Sequence, residues 1–450
     1  MALKKRLIFW LLKAYIKKWG KIVVLFFFIG LIIFFILLYA FQYMTTKIII
    51  SKKTIGVVGA YTIDNLPDTI LLDISRGLTK IDSSGIAQKD LANSWKVKDN
   101  GKTYVLQLQK NIAFSDGSDF TADQIHESFS DVKIDRPDQY TMVFHLKEIY
   151  SPFLVTLSHH IFKNDFIGIG DYKVQSIKLN SNFIESLSLV NTKDGRIQKT
   201  YQFYPTQDAL KVAFALGEIS VAKDITDLSF KTAAINTFPN VLLQKNIQYN
   251  QLVTVFYNTQ DKNLSDKRLR DALAYALPNS FSEGERAHSP LSPKSWAYQA
   301  DTVHTQDLTH AKILLDASGF DVKATNKNPL LLTVQAKYKQ TAEEVIASWK
   351  KIGIHGKLDI SDTVPSTFQV FLGDFNVPKD PDQYSLWHSY QGNNITNYKN
   401  LRIDKLLEDG RKTLEQSSRV KIYADFQKYL ADDQPASFLY FPYAYTVSRK

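Results

Sequence analysis

Twenty consecutive positions, Ile22 to Phe41, carry no charge and almost no polarity. At a rise of about 1.5 Å per residue they make about 30 Å of helix, the depth of a bilayer's hydrocarbon core, so the pattern predicts one transmembrane helix over 22–43. Past a stalk at 44–54 the pattern turns to short alternations. Trp95 and Val97 alternate with Lys96 and Lys98, and Tyr104, Leu106 and Leu108 resume the alternation after Asn100-Gly101. That pair suits the two positive-φ positions of a type I′ turn, so a hairpin is expected. Thr121 and Gln124 have capping-box spacing ahead of a short helix, and Thr141–Leu146 alternates like a half-buried strand.

Ile55–Ala60 reads as a strand and Leu66–Leu78 as a helix. Further on, Leu330–Val334 is a continuous apolar run. Thr341 with Glu344 reads as a cap, Val345, Trp349 and Ile352 share a helical face, Gly353 stops the helix, and Ile354–Ile360 is a second strand. A strand-helix-strand unit requires a parallel, right-handed crossover, which makes this part α/β rather than all-β. Leu308, Ala311, Leu314 and Leu315, closed by Gly319, predict another helix, and Val420, Tyr423, Phe426 and Leu430 mark the core face of a third.

Charge sharpens the membrane reading. Lys4, Lys5, Arg6, Lys13, Lys17, Lys18, Lys21 and Lys47 flank the apolar run, and no acidic residue occurs before Asp64. The basic segment 1–21 is therefore expected in the cytoplasm and the bulk of the chain outside the cell membrane. A cleaved secretory signal fits less well, because the run is long and Phe41-Gln42-Tyr43-Met44 offers no small-x-small cleavage site. The whole chain has 55 Lys and Arg against 45 Asp and Glu; setting the eight flanking cations aside leaves 47 against 45. A nearly neutral remainder argues against nucleic acid as a partner. The absence of cysteine excludes disulfides, thiolate metal sites, a cysteine nucleophile and a lipidated cysteine, a tether the spanning helix would replace. About 400 residues beyond the helix are enough for two or three lobes with their own cores.

No enzyme, cofactor or metal is expected. Adjacent His159 and His160 would point to opposite faces of a strand, and His126 and His145 have no carboxylate at ligand spacing. The chain has no H-E-x-x-H helix, no G-x-S-x-G elbow and no phosphate-binding G-x-x-x-x-G-K-S/T loop.

The wording of Leu91-Ala92 with Trp95, of Gly101-Lys102-Thr103-Tyr104, and of Phe114, Asp116-Gly117 and Phe120-Thr121-Ala122 resembles family 5 of the bacterial extracellular solute-binding proteins. Those are two-lobed receptors that present oligopeptides, nickel complexes and similar solutes to ABC importers. Further blocks extend the resemblance from about residue 55 to 447: Gly217-Glu218-Ile219 before Val221, Val253–Asn258 with the Ser265–Ala276 helix, Asn397-Tyr398 with Asn400 and Asp404, and Arg419 with Tyr423 and Gln427. Arg76 stands where relatives carry an acid, and Asp171 where they carry proline. Relatives also continue a few dozen residues past the last strand, so a shortened first lobe is expected.

The resemblance implies an α/β, two-lobed periplasmic-binding-protein-like fold after one transmembrane helix. Its expected parts are lobe I at 55–250 with a small subdomain at about 79–160, lobe II at 251–430, and a return to lobe I at 431–450. It implies a monomeric receptor that traps a small peptide or other solute by hinge closure and hands it to permease subunits; a membrane-anchored sensor or adhesion module on the same fold is the alternative. Relatives that take peptides pair the ligand's α-ammonium with the aspartate of a W-x-x-D motif just before a D-P dipeptide. Phe371 and Asp374 keep that spacing, although Asp374 stands three residues further from Pro381 than usual. The same stretch brings in Asn376 and Asp380. Trp387, between Tyr384 and Tyr390, is expected to line the crevice, and Tyr257 with Asn258 to stand at its mouth. The competing expectation for Asp374, Asp380 and Asp382 is a solvated acidic turn.

Overall fold

The computed structural model describes residues 2–48, 50–231, 233–300, 305–361 and 363–450; Met1 of the basic segment and Ile49 of the stalk lie outside them. One helix, Ala2–Ile48, takes in the basic segment, the apolar run and the start of the stalk. Its stretch from Arg6 to Gln42 is long and apolar enough to cross a membrane.

From Lys53 onward the chain builds two sheets that share a strand. In lobe I, Ser51–Val58 pairs in parallel with Val221–Ile225, flanked by the 197–204, 183–191 and 172–180 strands. In lobe II, Leu330–Val334 lies parallel to both Gly356–Ile360 and Val370–Asn376, with Gln251–Tyr257 antiparallel beside the last. The shared element is the 14-residue strand Ala436–Arg449. Its first part pairs with Val253–Phe256 in lobe II, and its second with Val241–Ile247 and Val221–Ile225 in lobe I. The chain therefore crosses between lobes at Gln248–Asn250 and at Phe441-Pro442, and the return expected from 431 takes place inside this strand. Proline cannot donate to a ladder, and Pro442 is tolerated in so long a strand because it falls where one set of partners gives way to the other. Gly284 faces Pro442 across the ladder, and a Cβ there would meet the Tyr440 ring at 2.2 Å.

Apolar layers set these sheets. Val253, Leu332, Leu372 and Trp349 fill one face of the lobe II sheet, and Trp349 donates its indole N–H to the Leu273 carbonyl at 3.1 Å. Leu252, Phe371, Trp387, Tyr423 and Phe426 fill the other. The subdomain has its own core around Tyr104, Phe144 and Phe153, under a four-stranded sheet of 92–98, 103–108, 141–146 and 132–138.

The family blocks turn out to fasten helices. Asp266 caps the Lys267–Tyr275 helix, and the buried guanidinium of Arg270 donates to the carbonyls of Asp433 and Gln434 at the end of the Gln416–Asp433 helix. Those carbonyls have no partner within their own helix, so the arginine supplies both hydrogen bonds and charge to a helix C-terminus. Asn400 caps the Leu401–Lys412 helix and also donates to Asp433 at 2.6 Å, as does the Tyr398 hydroxyl.

Three local expectations differ. The hairpin pairs Lys98 with Thr103, so its turn is the four residues 99–102, with Asp99, Asn100 and Gly101 all at positive φ, rather than a two-residue turn. The helix expected after Thr121 is one 3-10 turn, Ala122–Gln124. Thr341 is no cap: it lies inside the Lys339–Lys350 helix, buried, sharing a 2.7 Å hydrogen bond with the Tyr440 hydroxyl.

Candidate functional site

The parallel strands of both lobes aim their carboxyl ends at one place. Val58, at the end of Ser51–Val58, and Lys223-Asp224, near the end of Val221–Ile225, lie on the wall of a cavity of about 860 Å³ between the lobes. Leu330–Val334 leads to Lys337, Tyr338 and Thr341 on the opposite wall. Ligands of open α/β sheets bind outside such strand ends. The two crossings contribute Gln248, Gln251, Pro442 and Tyr443 to the lining, so hinge motion would change the cavity's width. Tyrosines dominate the rest: Tyr61 and Tyr201 from lobe I, Tyr338 and Tyr440 from lobe II. Each offers a flat apolar face and a polar tip, which suits a solute with both characters.

Asp374 stands behind this wall, near the carboxyl end of its strand. Its carboxylate accepts hydrogen bonds from the Gln251 amide and the Tyr338 hydroxyl and forms a 2.7 Å ion pair with the Lys337 ammonium. Burial, and then the Asp374 charge and hydrogen bond, push the Tyr338 phenol far above its ordinary range. The aspartate side chain is 14% exposed and Lys337 53%, so the ammonium is the solvent-facing partner of the pair.

The other expected residues divide. Phe371 and Trp387 are buried at 1% and 2% in the lobe II core, yet with Asp374, Phe256 and Phe375 they line an apolar cavity of about 210 Å³ inside that lobe. The structure thus brings together Asp374, Phe371 and Trp387, but around a packed aromatic cluster rather than on an open crevice wall. Asn376 is exposed and pairs in register with Gln251, lining none of these cavities. Asp380 is buried and bound bidentately by Arg419, at 3.0 and 2.5 Å, rather than set in a solvated turn. Asp382 beside it pairs with Arg411 at 2.7 Å. Tyr257 and Asn258 lie outside the lining of the interlobe cavity. Their strand starts at the hinge with Gln251, so its far end points away from the cavity. There the Tyr257 hydroxyl is buried against Ser437 and Asn258 donates to the Phe368 carbonyl. Tyr384 stacks on His388, and Tyr390 is 80% exposed.

On the other side of the first crossing, Tyr249 and Asn250 line a smaller cavity of about 280 Å³ together with His160, Val377 and Pro378. Contacts between the subdomain and lobe II border it: the Trp296 N–H donates to the Ser84 carbonyl at 3.0 Å, and Gly85 lies so close that a Cβ would meet the Lys379 carbonyl at 2.3 Å. Burial lowers the pKa of His160 in this wall. His159 pairs with Glu127 and His145 with Asp135; among the described residues no group of three or more histidines, cysteines or acids could hold a metal.

Sequence reasoning missed Lys337, Tyr338, Glu283 and Tyr440. The first two follow the Leu330–Val334 strand directly, so the rule that ligands sit at strand carboxyl ends could have found them. Glu283 and Tyr440 reach the cavity only through the pairing of Gly284–Arg286 with the shared strand, which no local pattern announces.

Comparison with known proteins gives the same architecture. The model for "Bacterial extracellular solute-binding proteins, family 5 Middle" matches residues 87–135 and 124–397. The oligopeptide-binding protein AppA of Bacillus subtilis is 27% identical over 446 residues, covering 81% of this chain and 80% of that protein. Among solved structures, the ABC transporter substrate binding protein CtaP of Listeria monocytogenes superposes with a TM-score of 0.77 at 22% identity, over 89% of this chain and 94% of that one. AppA of Bacillus subtilis in complex with a nonapeptide superposes with a TM-score of 0.68 at 22% identity, with the same coverage. With two lobes joined by two crossings, and a family model spanning most of the body, the chain belongs to the bacterial extracellular solute-binding proteins, family 5.

Proposed function

We propose that this protein is a membrane-anchored extracytoplasmic receptor that closes its two lobes on a short peptide and presents it to an ABC importer. The observation that carries the reading is the tyrosine-rich cavity of about 860 Å³, set at the strand ends and walled by both crossings. The relatives described as oligopeptide- and dipeptide-binding support a peptide as the solute. The Arg6–Gln42 stretch serves as the anchor, with the basic segment in the cytoplasm. The receptor acts as a monomer, with lobe I at 55–250, lobe II from 251, and the small subdomain at about 79–160.

In this reading Asp374 receives the peptide's α-ammonium by exchange with Lys337. The lysine stands where the ligand's cation would bind, which keeps the carboxylate from being buried unpaired. Phe371 and Trp387 stiffen the strand behind it. Calorimetry on the full chain in detergent with a pool of tri- to octapeptides tests the proposal. Binding that weakens at least about tenfold in Asp374→Ala is expected, about 1.4 kcal/mol or more. Absence of any peptide binding to the wild-type chain contradicts it.

A further inference from the structure

The 47-residue helix Ala2–Ile48 is about 70 Å long at about 1.5 Å per residue, more than twice the hydrocarbon depth of about 30 Å that the apolar run 22–41 fills. Its first part is left over, and that part is more than a basic tail. At about 100° per residue, Ile8, Leu11, Leu12, Tyr15, Ile16 and Trp19 fall on one side of the helix, a stripe about 140° wide that carries no charge. Arg6, Lys13, Lys17, Lys18 and Lys21 lie outside the stripe, and no acidic residue precedes Asp64. The stripe is open: Ile8, Leu12, Tyr15 and Trp19 are between 43% and 65% exposed.

Continued along the membrane normal, residues 6–21 would stand in water as a column about 24 Å tall. The stripe would then be wet, and most of the cations would lie further from the bilayer surface than the Debye length of about 8 Å at physiological salt. Laid against the surface, the same residues bury the stripe at the boundary of headgroups and acyl chains and bring all five cations within reach of lipid phosphates. Tyr15 and Trp19 suit that depth, because their amphipathic rings favour the headgroup level. Resting on the membrane-anchor reading above, we propose that residues 6–21 are an interfacial helix that binds the anionic headgroups of the cytoplasmic leaflet. The helix is continuous through Gly20 where the segment meets the span, and docking bends it there, at a residue that weakens a helix interior. Lipid is the partner because the span that follows ties the segment to a bilayer, and five cations without an anion complement an anionic surface.

Electron resonance on the full chain in phospholipid nanodiscs tests this, since a chain without cysteine accepts single nitroxide labels at chosen positions. Labels at Leu12→Cys and Trp19→Cys report the stripe, labels at Lys13→Cys and Lys17→Cys the basic side, and one at Phe34→Cys the span. In discs of phosphatidylcholine with phosphatidylglycerol, oxygen should reach the stripe labels and a water-soluble nickel chelate the basic-side labels, giving an oxygen-to-nickel accessibility ratio severalfold higher on the stripe. In phosphatidylcholine alone that contrast should largely collapse, because each cation near an anionic surface strengthens binding by about fivefold. Equal access of nickel to all four positions overturns the inference and leaves a helix standing in water. Equal access of oxygen to all four also overturns it and leaves a longer span. A contrast of the same size in both lipids overturns the anionic partner and the inference with it. In each of these cases the Phe34→Cys label stays beyond the reach of nickel; nickel access at that position instead contradicts the anchor reading itself.

Discussion

Asp374 and Asp380 leave the same strand and turn, and a reading of the sequence gives them equal standing as ligand contacts. In the fold they have opposite lives. Asp380 turns into the lobe and is held by two guanidinium nitrogens of Arg419, itself buried. Asp374 stays near the strand's end, where the ammonium opposing it belongs to a half-exposed lysine that can leave. The difference teaches how to separate a structural acid from a binding one. What counts is the mobility of the opposing cation, since a fixed, buried, bidentate partner leaves no room for a ligand, whereas a flexible lysine on a cavity rim can be exchanged.

The comparison can be broken most directly at Asp380. Asp380→Ala leaves the Arg419 guanidinium buried without its counter-charge and is expected to cost about 3–5 kcal/mol of stability, read from denaturant unfolding of the detergent-solubilised chain. Peptide affinity of the folded fraction should remain within about threefold, because the pair lies outside the cavity. Asp374→Ala should show the reverse: a loss of about 1.4 kcal/mol or more in peptide binding and a smaller loss in stability, since Lys337 relaxes into solvent. If Asp374→Ala unfolds the protein and Asp380→Ala spares it, the distinction between the two acids fails.

Lys337→Met sharpens the same contrast with a gain. Removing the internal competitor should tighten peptides with a free amino terminus by about threefold to tenfold, while the corresponding N-acetyl peptides gain nothing. Equal gains for both would show that the lysine does not occupy the ammonium's place. The smallest effect is one of pH. Glu344 is held above its ordinary value of 4.5 by burial and by Glu283. The folded state therefore binds that proton more tightly than the unfolded chain, so the residue lowers stability as pH rises from 4.5 through its raised folded value. In Glu344→Gln this part of the pH slope should disappear, a small change given the residue's partial exposure. The unfolding midpoint followed across that pH window measures it.

Legibility followed the range of the forces involved. The strand-helix-strand unit at 330–360 could be read because a buried strand and an amphipathic helix write their periods directly into the chain, and Trp349 and Val345 fell inside as expected. The helix expected over Leu66–Leu78 was too long: only Asp68–Ile74 is helical, because Ser75–Gly77 are needed in extended form to pack against Ser158 and Gly168. Thr341 looked like a cap by spacing, but its hydroxyl is spent on Tyr440, which comes from the other end of the chain. The site divides the same way. Asp374 could be found from its local motif. The pairing of Asp380 depends on a helix residue 39 positions later, and the position of Tyr257 and Asn258 on which end of their strand starts at the hinge, which no local pattern states.

The central claim is that two lobes close on a peptide about the crossings at Gln248–Asn250 and Phe441-Pro442, and the absence of native cysteines allows it to be measured cleanly. Spin labels at Asp208→Cys, an exposed position of the Gln207–Leu216 helix in lobe I, and Glu343→Cys, an exposed position of the Lys339–Lys350 helix in lobe II, report the separation of the lobes by pulsed electron resonance. The account predicts that a saturating peptide narrows the distance distribution and shifts it shorter by several ångström, on the order expected for hinge closure. A distribution that stays unchanged while calorimetry shows the peptide bound would contradict it.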